Sequence, residues 1–112
     1  MKKIMSILMI SVMLISSTVV VNATTYSKNS SGESFKDEWY HTPVSTSDRT
    51  FKYGYNTTLI NEDYTHTYHR TKTHHAYVKN TGTSQDSKGS AGDYAKSEIT
   101  HHSGKVFYEY SY

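Results

Sequence analysis

Cysteine is absent from this 112-residue chain, proline occurs once and glycine six times. The lack of cysteine removes both a disulfide framework and a thiol nucleophile, although small exported domains often depend on such bridges. Aliphatic residues become scarce after position 23: only Val44, Leu59, Ile60, Val78, Ile99 and Val106 remain, with Ala76, Ala91 and Ala95. An ordinary aliphatic core is therefore excluded. A charge excess is missing there too: without Lys2 and Lys3, ten basic residues face ten acidic ones, and the formal +2 falls to zero. Nucleic acid and a bulk anionic membrane both need a basic surface, so neither is expected as the main partner. There is no Gly-x-Ser-x-Gly elbow and no phosphate-cradling glycine loop. Neither an enzyme nor a cofactor is expected.

The single long apolar run is N-terminal. Lys2 and Lys3 precede Ile4–Val21, and Val21-Asn22-Ala23 supplies a small-x-small cleavage signal. This is the anatomy of a secretory signal peptide, residues 1–23. A retained anchor is the alternative, since the run approaches the roughly 18 residues a span needs. Ser6, Ser11, Ser16, Ser17 and Thr18 dilute it, which favours cleavage. The expected product is a secreted, extracellular chain of 89 residues (112 − 23) with no stable membrane insertion after cleavage. That length allows one domain.

What the mature chain does contain is aromatic: eleven Tyr, three Phe and Trp39. Each ring buries about 150–250 Å², so six or seven inward rings could build a core. A tyrosine hydroxyl must reach a partner or the rim, which favours a thin two-layer structure. Residues 24–49 are rich in Ser, Thr and Lys and are expected to form a flexible arm, with a propeptide as the alternative. Beyond Thr50 the period becomes two. Phe51, Tyr53 and Tyr55 alternate with Lys52 and Gly54. Tyr64, His66, Tyr68 and Arg70 share one face, with Thr65, Thr67 and His69 on the other. Ala76 and Val78 alternate with His75 and Tyr77, and Val106, Tyr108, Tyr110 and Tyr112 oppose Phe107, Glu109 and Ser111. Such alternation predicts half-buried strands. Residues 94–99 admit a short helix as the competitor to a strand, and Lys79–Gly92 reads as a polar Gly/Ser loop. The expected fold is an all-β domain at 50–112, two small antiparallel sheets packed together.

Seven histidines (His41, His66, His69, His74, His75, His101, His102) raise the question of a metal. On strands His66 and His69, His74 and His75, and His101 and His102 point to opposite faces, which scatters ligands, and no metal is expected. Glu62-Asp63 is read as a solvated turn. The segment Tyr64–Val78 interleaves tyrosine, histidine and cations. Tyr64 and Tyr68 fit the core of a sheet poor in aliphatics, whereas Arg70, Lys72 and His74 fit an exposed turn suited to a phosphate or carboxylate. The expected ligand site is therefore Tyr68, Arg70, Lys72 and His74.

Four blocks also carry a family resemblance. Thr50-Phe51-Lys52-Tyr53-Gly54-Tyr55, Tyr68-His69-Arg70-Thr71-Lys72-Thr73-His74-His75-Ala76-Tyr77-Val78, Ala91-Gly92-Asp93-Tyr94-Ala95-Lys96 and Lys105–Tyr112 follow one another. In order and spacing they resemble the lactococcin 972 family of secreted bacteriocins over residues 50–112. Phe51 and Tyr94 stand where that family commonly has tryptophan. The resemblance implies a β-sandwich of two three-stranded antiparallel sheets and export without lanthionine bridges. It also implies antibacterial action on septum and cell-wall synthesis of related Gram-positive bacteria through the wall precursor lipid II. A secreted glycan- or surface-binding module that kills nothing is the alternative, and a homodimer stays open.

Overall fold

The computed structural model describes residues 23–112; the expected signal peptide lies outside the described residues except for Ala23. Eight strands follow in order: β1 (Thr25–Asn29), β2 (Trp39–Ser45), β3 (Arg49–Asn56), β4 (Glu62–His69), β5 (His74–Lys79), β6 (Ser84–Gly89), β7 (Tyr94–Thr100) and β8 (Phe107–Ser111). They form two antiparallel four-stranded sheets, β1-β8-β5-β6 and β2-β3-β4-β7. The described chain is all-β, and residues 94–99 are strand rather than helix.

The expected three strands per sheet describe only part of this architecture. Removing β1 and β2 leaves β8-β5-β6 and β3-β4-β7, so residues 49–112 alone make three and three. The segment expected to be a flexible arm adds one edge strand to each sheet. β1 pairs with β8 from Thr25↔Ser111 to Asn29↔Phe107, and β2 pairs with β3 from Trp39↔Tyr55 to Ser45↔Thr50. The reason is burial: Trp39, Val44 and Phe35 pack against the core cluster from the β2 side, and Tyr26 from β1. Pro43 is tolerated because β2 is an edge strand and its register shifts between His41 and Val44. The expected polar loop likewise contains β6, a strand of mostly exposed Ser, Gln, Asp and Lys at the other edge.

Between the sheets the sandwich is asymmetric. Phe51 and Tyr53 of β3 meet Tyr108 and Tyr110 of β8, with Tyr53–Tyr108 centroids 4.6 Å apart and Phe51–Tyr110 5.8 Å. The inward residues of β4 and β7 are small instead: Thr65, Thr67, Ala95 and Ser97 are all buried. There the sheets approach closely enough for hydroxyls to cross between them. Thr65 donates to the Tyr77 carbonyl at 2.8 Å and Ser97 to that of Ala76 at 2.7 Å. Rings fill one side of the core, and hydrogen bonds close the other.

Two polar groups complete the interior. Asp63, expected in a solvated turn, is fully buried; Asn80 donates to it at 2.9 Å and His101 lies 2.8 Å away. The His101 ring is flanked by Phe35 at 4.3 Å and Tyr55 at 5.0 Å, and it ties β4 to the β7–β8 connection. His74 is fully buried between Thr67 (2.7 Å from Nδ1) and the Asp93 carbonyl (2.7 Å from Nε2). A carbonyl only accepts, so Nε2 carries hydrogen, and in the neutral ring Nδ1 accepts from Thr67. Gly89 makes room for this ring, since a Cβ there would lie 2.7 Å from it. Thr67→Val keeps the shape but leaves Nδ1 unpaired. We expect it to cost about 1–3 kcal/mol in urea unfolding, while Thr71→Val, at an exposed turn, leaves the midpoint unmoved.

Candidate functional site

The structure separates the four residues expected to form the ligand site. Tyr68 lies on the outer face of β4, its ring 5.3 Å from that of Tyr94. Arg70 is exposed and already paired, with Nε 2.6 Å from Asp48 Oδ1. Lys72 sits over the Tyr112 ring at 5.7 Å. His74 is in the core and cannot face a ligand; the turn preceding it is exposed, but β5 begins at His74 and turns the ring inward. His69 anchors that turn, its Nδ1 accepting from the backbone N–H of Thr71 (3.1 Å) and Lys72 (3.0 Å). Burial, with the nearby cations, holds the His69 pKa below the ordinary value.

A more coherent constellation covers the outer face of the β2-β3-β4-β7 sheet. Direct cross-strand partners share a face, and the register sets them in three rows. The middle row is Lys52–His66–Lys96, across β3, β4 and β7. On one side runs Thr50–Tyr68–Tyr94, on the other Tyr40–Gly54–Tyr64–Glu98. Two lysines thus stand in line between rows of tyrosine. Tyr64 and Tyr68, expected in the core, lie on this outer face, because the inward face of β4 is taken by Asp63, Thr65, Thr67 and His69; Tyr64 is nevertheless buried there, and Tyr68 is half-buried.

The rows touch. Lys52 Nζ lies 4.4 Å from the Tyr40 ring centroid and 6.0 Å from that of Tyr64, both within cation–π range. Tyr64 and His66 are 4.8 Å apart, and His66 Nε2 is 2.9 Å from Glu98. Gly54 is needed here: a Cβ would overlap the Trp39 carbonyl oxygen and the Tyr40 backbone. Burial depresses the His66 pKa, and the adjacent Lys96 and Lys52 push the same way against Glu98, so the ring is neutral at neutral pH. Burial pushes the Tyr64 phenol up to about 12. Thr50, Lys52, His66, Tyr94 and Lys96 line a shallow hollow of about 200 Å³.

The outer face of the other sheet carries both signs, Asp86 and Glu109 together with Lys79 and Lys88. A hollow of about 420 Å³ there is lined by His75, Tyr77, Asp86, Glu109 and Ser111, and its charges are acidic. Among the described residues no group of three or more His, Asp or Glu gathers as a metal site. The tyrosine-lined face of the β2-β3-β4-β7 sheet carries Glu62 and Glu98 as well as Lys52 and Lys96; it can hold an anion between the two lysines and stack a flat or sugar-like group on the exposed Tyr94 and Tyr40. Half of this was visible in the sequence as Tyr64, His66 and Tyr68 on one face; Lys52 and Lys96 join them only through pairing with β3 and β7. No family model matches the chain, and neither a curated protein nor a solved structure matches it.

Proposed function

We propose that the protein is a secreted, non-enzymatic antibacterial protein of the lactococcin 972 kind. It acts on septum and cell-wall synthesis of related Gram-positive bacteria by binding the wall precursor lipid II through the outer face of the β2-β3-β4-β7 sheet. The observation that carries this reading is the Lys52–His66–Lys96 row between two tyrosine rows. A pyrophosphate calls for charge-assisted donors, which the two ammoniums supply. The attached sugars call for aromatic faces, and Tyr94 is 54% exposed beside the row. Overall neutrality, ten basic against ten acidic residues after position 23, favours such a local contact over bulk electrostatic attack on membranes.

Binding of purified residues 24–112 to lipid II in detergent micelles tests this reading. Hydrogen bonds to charged groups contribute about 1.5–3 kcal/mol each, so Lys52→Ala/Lys96→Ala should weaken binding at least about tenfold. The fold should persist, since both lysines point outward. The native protein should also stop septation of a susceptible strain. Undiminished binding by the double variant would place the contact elsewhere. The other reading, a non-toxic glycan-binding module, draws on Tyr40, 62% exposed, and Tyr94. It would be preferred if uncharged wall glycans bound equally well and Tyr40→Ala/Tyr94→Ala, not the lysine variant, abolished binding.

A further inference from the structure

The β3–β4 connection breaks the composition of the rest of the molecule. Loop tips are ordinarily built from Gly, Asn, Asp, Ser and Pro. Here Thr57-Thr58-Leu59-Ile60-Asn61 carries two consecutive aliphatics, and Leu59 is 93% exposed and Ile60 52%. In a chain so short of aliphatics this placement is informative: Val78, Ile99 and Val106 are buried and Val44 packs against the core. A third of the six large aliphatics after position 23 is thus left at one tip. We infer that the Leu59–Ile60 tip is a lipid-contacting element that enters the interface of a bilayer and sets the sandwich end-on against a membrane.

Two further observations select a bilayer as the occupant. A two-residue tip offers far less than the roughly 800 Å² per partner that a stable protein interface buries. A bilayer needs no complementary surface. Moreover, the exposed Tyr40 belongs to the tyrosine row nearest the tip, separated from it along β3 and β4 by the Tyr55↔Asp63 and Asn56↔Glu62 pairs. An exposed tyrosine at that height suits the headgroup level, where such rings concentrate. Strands rise about 3.3 Å per residue, so the Lys52–His66–Lys96 row stands about 13 Å beyond the end of β3, over the headgroup region. No basic cluster lies at the tip itself, and Glu62 flanks it, so insertion rests on apolar contact rather than on anionic lipid. Even a single acyl chain gives only marginal, reversible binding of about 10⁴ M⁻¹. The tip is accordingly a weak and shallow contact that does not breach the membrane.

The test uses residues 24–112, which contain all eight strands of the sandwich, and vesicles of phosphatidylcholine with and without phosphatidylglycerol, free of any wall precursor. Co-flotation should detect weak partitioning onto both compositions. Leu59→Asp/Ile60→Asp should reduce it at least about tenfold, each buried aliphatic being worth more than the 1.4 kcal/mol of one decade. Lys52→Ala/Lys96→Ala should leave partitioning onto phosphatidylcholine alone unchanged, so failure here is distinguishable from failure of the ligand reading. Circular dichroism should show both variants folded. A Leu59→Trp variant should add blue-shifted emission on vesicles, quenched by brominated acyl chains. No partitioning, partitioning that survives the double aspartate variant, or binding only to phosphatidylglycerol would overturn the inference. So would concentration-dependent self-association lost in the aspartate variant, which would assign the tip to a second copy.

Discussion

Tyr110→Ala is expected to cost about 3–5 kcal/mol, a large share of the roughly 5–15 kcal/mol that holds a domain folded. The ring is fully buried, lies 5.8 Å from both Tyr26 and Phe51, and meets His74 edge-on at 6.2 Å. Its hydroxyl donates to the Tyr68 carbonyl at 2.6 Å and so joins the two sheets. Tyr110→Phe isolates the second contribution and should cost about 0.5–1.5 kcal/mol. Tyr108 provides the contrast. Its ring is equally buried, but its hydroxyl has no hydrogen-bond partner among the described residues. Tyr108→Phe removes a polar atom held in the core and should be neutral or stabilising. Denaturant unfolding of the three variants decides the matter; a Tyr108→Phe protein less stable than Tyr110→Phe would refute the assignment.

Alkaline pH should unfold the domain cooperatively. Burial raises the pKa of Tyr53, Tyr55, Tyr64, Tyr108 and Tyr110, with Tyr64 pushed up to about 12 and Tyr108 and Tyr110 further still. A free phenol ionises near 10. Between about 10 and the folded values the native state therefore holds more protons than the unfolded chain, and stability falls as pH rises. The contribution is complete below about pH 10 and is lost progressively toward 12 and above. Tyr112 behaves differently. Burial alone would raise it, but hydrogen bonds with Tyr26 and Arg49, whose guanidinium lies 2.7 Å from its oxygen, together bring it below the ordinary value. Tyrosinate absorbance at 295 nm should thus show an early step without unfolding, then a steep rise coinciding with loss of the β circular dichroism signal. Smooth titration to pH 12 with the fold intact would contradict the buried-ring core.

The alternation of Phe51, Tyr53 and Tyr55, of Ala76 and Val78, and of Val106, Tyr108 and Tyr110 determined by itself that these segments are strands and which side of each faces inward. All eight residues are buried. A two-residue period leaves little choice when one face is aromatic or aliphatic and the other polar. The scarcity of aliphatics likewise implied a tyrosine core in two layers. In β4 both faces carry partly polar side chains, Tyr64, His66 and Tyr68 against Asp63, Thr65, Thr67 and His69, and local pattern does not rank them. Only the opposing sheet decided it. Next to the large rings of β3 and β8, small hydroxyl residues fit the remaining space and reach the backbone across it, so the tyrosines turned outward. The same tertiary demand drew Trp39 and Tyr26 onto the sheet edges and made strands of a segment whose composition suggests a loose arm. It also buried His74 and Asp63, whose partners Thr67, Asp93, Asn80 and His101 are 7 to 38 residues away. The basic row has the same origin. Lys52, His66 and Lys96 belong to three strands, and a sheet's register alone makes them neighbours.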